Sequence, residues 1–319
     1  MRLVSDIAYG DLVGAEDPTT EGSSQLANTW ALFRSASSAQ AILTNEGKRK
    51  PTGLIVLAVL LWVTRQRKLV LTEFLPGTRT GLKGAVVTAA YRFLLPRTVL
   101  AAQVMTAWER EDYADRYRIP RDRLRVIPFY YFDDRSETTP RPWSREGRSG
   151  LMSTGKNSCD WTTLIAAAHG EGWPLTIVCP RSDSHAIADT AAIAEVTVLS
   201  DVPRADHDSM LATSEILIIA LENRSMSAGH VRLMTAATWG TPVILTEVRG
   251  VAGYEQLAAA LVRPGDVEHL RSTVNRLMAD GEHLQERMSS VTDFARTRPY
   301  STYVAELREF VARAVEQAA

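Results

Sequence analysis

The sequence predicts an α/β protein built of two domains in tandem with a cleft between them. A chain of 319 residues is longer than one hydrophobic core usually serves, so two domains are expected. Short apolar runs alternate with helical stretches, which is the pattern of βαβ units and parallel sheets. Residues 133–149 are rich in Arg, Glu, Ser, Thr, Pro and Gly, so they predict a linker with a domain boundary near Arg141.

The first domain, residues 1–140, begins with a polar stretch to residue 28 that predicts a short strand and a loop. Apolar runs of strand length follow, and polar or proline-containing breaks end them. The predicted strands are Ala41–Thr44, Lys68–Thr72, Val99–Thr106 and Leu124–Phe129, and the predicted helices are Trp30–Ser38, Gly53–Arg67, Val86–Leu95 and Trp108–Tyr117. The loop of residues 74–84 holds prolines, glycines and two cations, and predicts a segment that closes over a ligand.

The second domain, residues 141–300, shows the same alternation of strands and helices. Its predicted strands are Gly150–Ser153, Leu175–Cys179, Val196–Leu199, Ile216–Ala220 and Val243–Leu245. Its predicted helices are Asp160–His169, His230–Trp239, Val267–Asp280 and Glu282–Arg296. A final amphipathic helix, Tyr303–Ala318, forms the segment 301–319 and is expected to pack back on the first domain.

Composition narrows the function classes. An apolar share of 45% and a charged share of 23% are typical of a soluble globular protein. Only two cysteines are present, Cys159 and Cys179, so a disulfide framework is not expected. The expected compartment is the reducing cytoplasm. The sequence has no G-x-S-x-G elbow, no P-loop pattern and no ligand set for a metal, so neither a metal nor a cofactor is predicted.

The segment Ala41–Met105 is strongly basic, with ten Lys and Arg residues against Glu46 and Glu73. Its longest apolar run, Leu54–Val63, is short of the ~20 residues that a membrane-spanning helix needs. Two interpretations stay open for this run: a buried helix or strand, and an interfacial segment that touches anionic lipid. Nucleic acid is not predicted as a partner, because the aromatic residues show no spacing typical of base stacking.

The stretch Leu217–Thr246 predicts an anion site. A buried strand is followed by the small-residue turn Ser225–Gly229, the helix His230–Trp239 and a second buried strand. Short side chains let a ligand approach the backbone, and a helix directs unpaired N–H groups and its positive dipole end at the preceding turn. A phosphate is the expected anion, and an ordinary tight αβ turn is the alternative.

Four phrases of the sequence resemble one family in order and spacing. They are Leu151–Trp161 (LMSTGKNSCDW), LTIVC at Leu175–Cys179, Ser227–His230 through Thr241-Pro242-Val243-Ile244, and Val262–Asp266 (VRPGD). Together they are similar to the carboxyl-terminal half of GT-B glycosyltransferases of the family 4-like group (glycosyltransferase group 1). Asp112–Pro128 resembles the exit from the acceptor domain of these enzymes. The resemblance implies two Rossmann-like domains that face each other across a cleft, and a hexosyltransferase-like activity.

The resemblance also implies site residues. Gly155 and Lys156 would contact the donor diphosphate, with Asn157 and Asp160 beside them, because a cation stabilises the charge that develops on the leaving group. The second turn would hold the donor sugar and phosphates through Ser227, Ala228, Gly229 and His230. The alternatives are a solvated loop lysine for Lys156 and a packing role for His230.

Two glutamates of the family motif are replaced in this sequence by Ser227 and Thr235. Neither side chain can form the charge-assisted hydrogen bonds that a carboxylate makes to sugar and ribose hydroxyls. Glu222, on the exit loop of the preceding strand, is the residue expected to substitute in part. The replacement of the two glutamates also supports an alternative function, that of a non-catalytic GT-B-like protein that binds a nucleotide or glycan or assists a partner enzyme.

The first domain contains no histidine, which limits the candidates for a general base. Its well-placed acids are Glu46 and Glu73, each at the end of a predicted strand, and ion pairs with neighbouring arginines and lysines are the alternative role. The resemblance implies retention, in which the leaving phosphate assists deprotonation of the acceptor. The leading hypothesis is a metal-independent transferase of polysaccharide biosynthesis, which moves a sugar from a nucleotide diphosphate sugar to a glycan, lipid-linked or small-molecule acceptor. The basic residues Lys48–Arg97 favour an anionic or lipid-linked acceptor, in the cytoplasm and at the inner membrane face.

Overall fold

A computed structural model describes residues 2–7, 14–77, 79–135, 139–191, 196–224 and 226–317. Contacts divide the chain into two compact units, Met1–Pro128 with Tyr303–Ala319, and Phe129–Thr302. The amino-terminal part of the first unit therefore ends at Pro128, before the predicted linker of residues 133–149. Residues 129–135 and 139–140, which the sequence analysis assigned to the first domain, belong by their contacts to the second unit.

The first unit is a six-stranded parallel sheet in the order β2-β1-β3-β4-β5-β6. Its strands are β1 (Leu3–Ser5), β2 (Ala15–Glu16), β3 (Ala41–Thr44), β4 (Leu69–Leu71), β5 (Val99–Val104) and β6 (Leu124–Val126). The connecting helices are α1 (Gln25–Ser35), α2 (Glu46–Val63), α3 (Gly81–Thr98) and α4 (Ala107–Tyr117). Strands β3, β4 and β5 are buried along their whole length, as expected for a parallel sheet covered on both faces.

Helices α2 and α3 are longer than the sequence pattern predicts. Asn45 caps α2 by accepting a hydrogen bond from the Lys48 N–H at 2.8 Å, so the helix begins at Glu46 and passes a kink at Lys50. Lys50 has non-helical backbone angles, so the apolar part of α2 starts at Pro51, two residues before the predicted start at Gly53, and the capped turn of residues 46–49 is the part that was not predicted. Among the helices that the structure describes, none is long and apolar enough to cross a membrane.

The second unit contains a second six-stranded parallel sheet, in the order β12-β11-β10-β7-β8-β9. Its strands are β7 (Leu151–Thr154), β8 (Leu175–Cys179), β9 (Thr197–Ser200), β10 (Ile216–Ile219), β11 (Val243–Thr246) and β12 (Ala260–Val262). Its helices are α5 (Trp161–Ala168), α6 (Arg181–Ala191), α7 (Arg204–Thr213), α8 (His230–Trp239), α9 (Val267–Ala279) and α10 (Gly281–Arg296). The last helix of the chain is α11 (Tyr300–Glu316). Two parallel sheets flanked by helices confirm the predicted α/β class.

Apolar side chains from both faces of the second sheet form its core. Ile216 and Ile218 face one cluster, and Leu217 and Ile219 face the other, as the alternation of side chains along a strand requires. The sequence pattern did not predict β12, a three-residue edge strand that is only partly buried. Strand β10 lies next to β7, and this neighbourhood brings two distant turns together.

Candidate functional site

The candidate site of the second unit lies at the carboxyl edge of its sheet, where β7 and β10 end side by side. The Glu222 N–H after β10 donates to the Ser158 carbonyl at 2.8 Å, and the Asp160 N–H donates to the Ala220 carbonyl at 3.1 Å. These bonds fix the exit of β10 against the turn after β7. The carboxyl edge of an open parallel sheet is where α/β proteins bind ligands.

The turn after β7 contains Gly155, Lys156, Asn157 and Asp160. The Asp160 carboxylate caps α5 by accepting from the Thr163 N–H at 3.0 Å and from the Thr163 hydroxyl at 2.7 Å. Lys156 and Asn157 are exposed. Of these residues, Lys156 offers an exposed cation at the sheet edge, while the carboxylate of Asp160 caps α5.

The turn before α8 is described from Met226 onward, so Ser225 lies outside the described residues. Gly229, at the N-cap of α8, has φ 90°, a left-handed conformation that favours glycine. Gly250 packs against the same turn, and a Cβ there would lie 2.7 Å from the Met226 carbonyl oxygen and 3.0 Å from the Ser227 Cα. Ser227 is buried and Ala228 is partly buried.

His230 begins α8, and its ring is buried below the turn. Its Nε2 lies 2.7 Å from the Gly250 carbonyl oxygen, to which an Nε2–H donates, and the ring stacks on Tyr254 with 3.8 Å between centroids. Burial lowers the pKa of His230 to about 4, so the ring is neutral at pH 7. The side chain braces the turn from within, and the N–H of His230 is the group that belongs to the helix N-terminus.

Arg232 is a site residue that the sequence analysis missed. Its side chain crosses from α8 to the turn after β7, where Nη1 donates to the Thr154 carbonyl and lies 3.8 Å from Cys159 Sγ. A Cβ on Gly155 would lie 2.3 Å from Cys159 Sγ and 2.5 Å from Arg232 Nη1, so a larger residue there would displace the guanidinium or the thiol. Burial lowers the pKa of Arg232 and raises that of the Cys159 thiol. In the described part of the chain, no carboxylate pairs with Arg232.

A local sequence signal could have identified Arg232. It occupies the first turn of α8, which contains no acidic residue, and the positive end of a helix dipole disfavours a cation there. A residue that breaks a local rule without an evident compensation is a candidate functional residue.

Thr235 and Arg232 line a cavity of about 270 Å³ between α7 and α8. Its other side is formed by His207, whose Nε2 lies 3.1 Å from the Thr154 hydroxyl, and by Asp208. The Thr235 hydroxyl donates to the Val231 carbonyl at 2.8 Å, within its own helix. This cavity is slightly smaller than the roughly 300–1,000 Å³ that is usual for small-molecule sites.

Glu222 follows β10, and its carboxylate pairs with Arg224 two residues later. Both side chains are more than a third exposed, so the pair is a surface ion pair of small energetic value. Its place at the carboxyl edge agrees with the sequence analysis, but the carboxylate already has a cationic neighbour.

Glu46 and Glu73 lie in the first unit, after the adjacent strands β3 and β4. Glu46 is buried and pairs with Arg79. Glu73 has φ 45°, a strained conformation for a non-glycine residue, and its N–H donates to Gln103 Oε1 at 3.0 Å. The Tyr303 hydroxyl donates to Glu73 Oε1 at 3.5 Å.

Asp6 and Arg49 form a second buried ion pair at this edge, which the sequence analysis also missed. Arg49 Nε lies 2.5 Å from Asp6 Oδ2, and both side chains are almost fully buried. Burial raises the pKa of Asp6 more than the Arg49 charge lowers it. An aspartate directly after a buried strand was the available signal. Asp6, Glu46 and Glu73 thus follow the adjacent strands β1, β3 and β4 at this edge.

Comparisons with known proteins were made on sequence and on structure. No protein-family model matches the chain, and no curated protein sequence matches it. Among solved structures, Anabaena HepE in complex with UDP-glucose is 16% identical, with a TM-score of 0.67 over 99% of this chain and 91% of that chain. A glycosyltransferase from Rickettsia africae is 12% identical, with a TM-score of 0.67 over 98% and 97% of the two chains.

WaaG, a glycosyltransferase involved in lipopolysaccharide biosynthesis, is 15% identical, with a TM-score of 0.61 over 98% of this chain and 99% of that chain. The structural similarity extends over nearly the whole of each chain although the sequence identity is low, so it shows a shared fold. The chain therefore has the GT-B fold of the glycosyltransferases, as the resemblance of its motifs implied.

Proposed function

We propose that the protein transfers a sugar from a nucleotide diphosphate sugar, and that its second unit binds the donor. The observation that carries the proposal is the Arg232 guanidinium, which lies between the turn after β7 and the turn before α8 without a carboxylate partner among the described residues. A partly buried cation without a counter-ion costs free energy, and a diphosphate would supply that counter-ion.

Three groups would act on the diphosphate. Arg232 supplies a planar guanidinium, Lys156 an exposed ammonium, and Ala228–His230 the backbone N–H groups at the start of α8. All three stabilise negative charge, which grows on the diphosphate as the bond to the sugar breaks. We therefore assign the leaving-group chemistry to the protein's own cations, without a metal ion, and Gly155 to leaving room for Arg232.

The remaining roles at the donor site belong to the same proposal. Ser227 closes the turn, Thr235 faces the ribose from the cavity beside α8, and Glu222 lies near the sugar. Asn157 and Asp160 hold the shape of the first turn. Solved structures of HepE contain UDP, UDP with glucose, or UDP-glucose, which favours a uridine nucleotide and a hexose in the present case.

The first unit would bind the acceptor, at the edge that carries Glu46 and Glu73. We propose an anionic or lipid-linked glycan as the acceptor, in a cytoplasmic step of polysaccharide biosynthesis at the inner membrane face, with retention of the anomeric configuration. The basic character of residues 41–105 supports an anionic acceptor. A retaining transfer requires no protein base, and this agrees with the pairing of the Glu46 carboxylate with Arg79.

The experiment is a thermal-shift and calorimetric screen with UDP, GDP and dTDP, in the presence of EDTA and then of Mg²⁺. A nucleotide that binds the folded protein raises its melting temperature in proportion to the logarithm of its concentration over Kd. We expect one nucleotide to bind in EDTA, and Lys156→Ala to weaken it. If none of the three binds under either condition, the donor-site proposal is wrong.

A non-catalytic role is the second candidate, and one observation favours it. Ser227 and Thr235 stand where the resembled family has glutamates, and the Thr235 hydroxyl is bonded within α8. NMR of UDP-glucose incubated with the protein distinguishes the transferase from the non-catalytic protein. Slow hydrolysis of the bound donor indicates a transferase site. Nucleotide binding without hydrolysis, and without gain in Ser227→Glu or Thr235→Glu, would favour the non-catalytic protein.

A further inference from the structure

Large apolar side chains are exposed on one side of the first unit. Among the described residues nine such side chains are exposed, and eight of them lie on the successive helices α1, α2 and α3. Solvent-exposed apolar residues that occur singly need no explanation, but a concentration on adjacent helices marks an interaction surface.

Helix α3 carries the longest part of this surface. Leu82, Val86, Ala89 and Phe93 recur at spacings of four, three and four residues, so they share one face of the helix. Leu82 is 83% exposed, Val86 61% and Phe93 44%. The opposite face of α3 is buried, through Tyr91, Leu94 and Leu95. The helix is thus apolar on both sides, although only one side is covered.

The carboxyl-terminal end of α2 extends the stripe sideways. The Trp62 ring meets the Phe93 ring edge-on, with 5.0 Å between centroids, and both rings are partly exposed. Val59 and Val63 lie on the same turns of α2 and are exposed as well. We name this surface, formed by Val59, Trp62, Val63, Leu82, Val86, Ala89 and Phe93, the α2–α3 face. Along α3 alone it is about 17 Å long, at 1.5 Å per residue.

Cations surround the α2–α3 face, and acids are absent from its helices apart from the buried Glu46 at the start of α2. The exposed cations are Arg65, Arg67, Lys83, Arg92 and Arg97. In the described ranges none of these five pairs with a carboxylate, and Glu73 is the one acid between Glu46 and Glu109 in the sequence. The Arg97 guanidinium lies 4.1 Å from the centroid of the Phe93 ring, which places a charge directly beside the apolar stripe.

We infer that the α2–α3 face is a docking surface for an anionic lipid bilayer. A bilayer surface combines a negatively charged headgroup layer with an apolar interior, and exposed Leu, Val and aromatic side chains enter that boundary while Lys and Arg stay in the headgroup layer. Trp62 and Phe93 have the amphipathic or aromatic character that the interface favours. Because the exposed charges around this face are all positive, its partner is expected to be uniformly negative. A protein partner with a surface of mixed charge would instead be complemented by both acidic and basic side chains.

The α2–α3 face would hold the protein at the inner membrane face, so its role rests on that part of the proposed function, but it does not rest on the donor chemistry. Vesicle binding needs no nucleotide, and nucleotide binding needs no vesicle. A failure of vesicle binding therefore removes the proposed membrane location and leaves the donor site intact, and a failure of nucleotide binding leaves the α2–α3 face intact.

The test is co-sedimentation of the full chain with vesicles of phosphatidylcholine containing phosphatidylglycerol, and with vesicles of phosphatidylcholine alone. We expect binding to the anionic vesicles, with an affinity that falls at high ionic strength because the headgroup attraction is screened. Leu82→Gln with Val86→Gln removes apolar insertion, and we expect a loss of affinity of about tenfold or more. Both side chains are exposed, so the fold should persist.

Charge reversal supplies a matched pair of variants. Arg92→Glu changes a cation of the α2–α3 face, and we expect it to weaken binding about tenfold or more. Arg276→Glu makes the same change at an exposed position on α9 of the second unit, and we expect no effect there. Binding that is equal for both lipid compositions, equal losses in the two charge variants, or no binding at all would overturn the inference. Capture of a protein partner by this face in place of vesicles would do so too.

Discussion

Replacing Arg232 by methionine should weaken nucleotide binding without weakening the fold. Methionine preserves the length and packing of the aliphatic stem but removes the guanidinium beside Gly155. In the free protein that guanidinium is desolvated and lies in the first turn of α8, where the helix dipole opposes it. A residue retained at such a cost is typical of a binding site.

The two effects can be sized separately. Charge-assisted hydrogen bonds to a phosphate are worth about 1.5–3 kcal/mol, so Kd for the nucleotide diphosphate should rise about 10- to 150-fold. For stability, the Thr154 carbonyl loses a donor, at about 1 kcal/mol, while release of an unpaired cation from the helix start returns about as much. The free energy of unfolding of the unliganded protein should therefore change by less than about 1 kcal/mol.

Isothermal titration calorimetry with UDP and chemical denaturation of the unliganded protein measure the two quantities. Arg232→Lys keeps the charge but not the planar fork, so its affinity should lie between those of the parent and the methionine variant. Arg276→Met, on the exposed side of α9, is the control and should change neither quantity. An unchanged Kd in Arg232→Met, or a loss of affinity accompanied by an equal loss of stability, would refute the reasoning.

Three further predictions concern other buried contacts. The pKa of His230 falls from 6.5 to about 4 on folding, so the unfolded state binds the proton first as the pH drops. About 3 kcal/mol of the free energy of unfolding should therefore be lost between about pH 7 and pH 4. Denaturation curves of His230→Phe, measured over the same pH range, should lack this loss. Gly155→Ala should displace Arg232 and weaken UDP binding about tenfold, whereas Gly47→Ala, where a Cβ meets no atom closer than 3.5 Å, should not. Glu46→Gln should cost about 3 kcal/mol by leaving Arg79 unpaired, and adding Arg79→Met should recover part of it; additive losses would contradict this.

The candidate site shows where reading a sequence succeeds and where it does not. Gly229, Gly240 and the limits of α8 follow from local rules, since glycine at a helix boundary and small residues in a turn are decided by backbone sterics. The role of His230 could not be read in the same way. The ring turns inward because Gly250 and Tyr254, distant in the chain, offer it a carbonyl and a stacking partner.

Helix starts show the same division. Trp161–Ala168 was expected to begin at Asp160, and the structure has Asp160 as its cap, because aspartate before an apolar run is a local signal. The capped turn after Asn45 was not predicted, because Pro51 and Gly53 suggest a helix start after the kink at Lys50, and the apolar part of α2 does start there. The edge strand β12 was not predicted, because three residues, of which two are partly buried and one is buried, are too few to show a periodic pattern.

The sequence by itself determined the alternation of strands and helices, the two parallel sheets, the small-residue turn before α8 and the basic character of residues 41–105. These depend on side-chain period, turn sterics and charge, which are properties of neighbours in the chain. Only the tertiary structure decided that Arg232 reaches the Gly155 turn, that Asp6 meets Arg49, and that α3 leaves an apolar face uncovered. These depend on the order of strands within each sheet and on which helix covers which face, and side chains far apart in the chain meet only once that order exists.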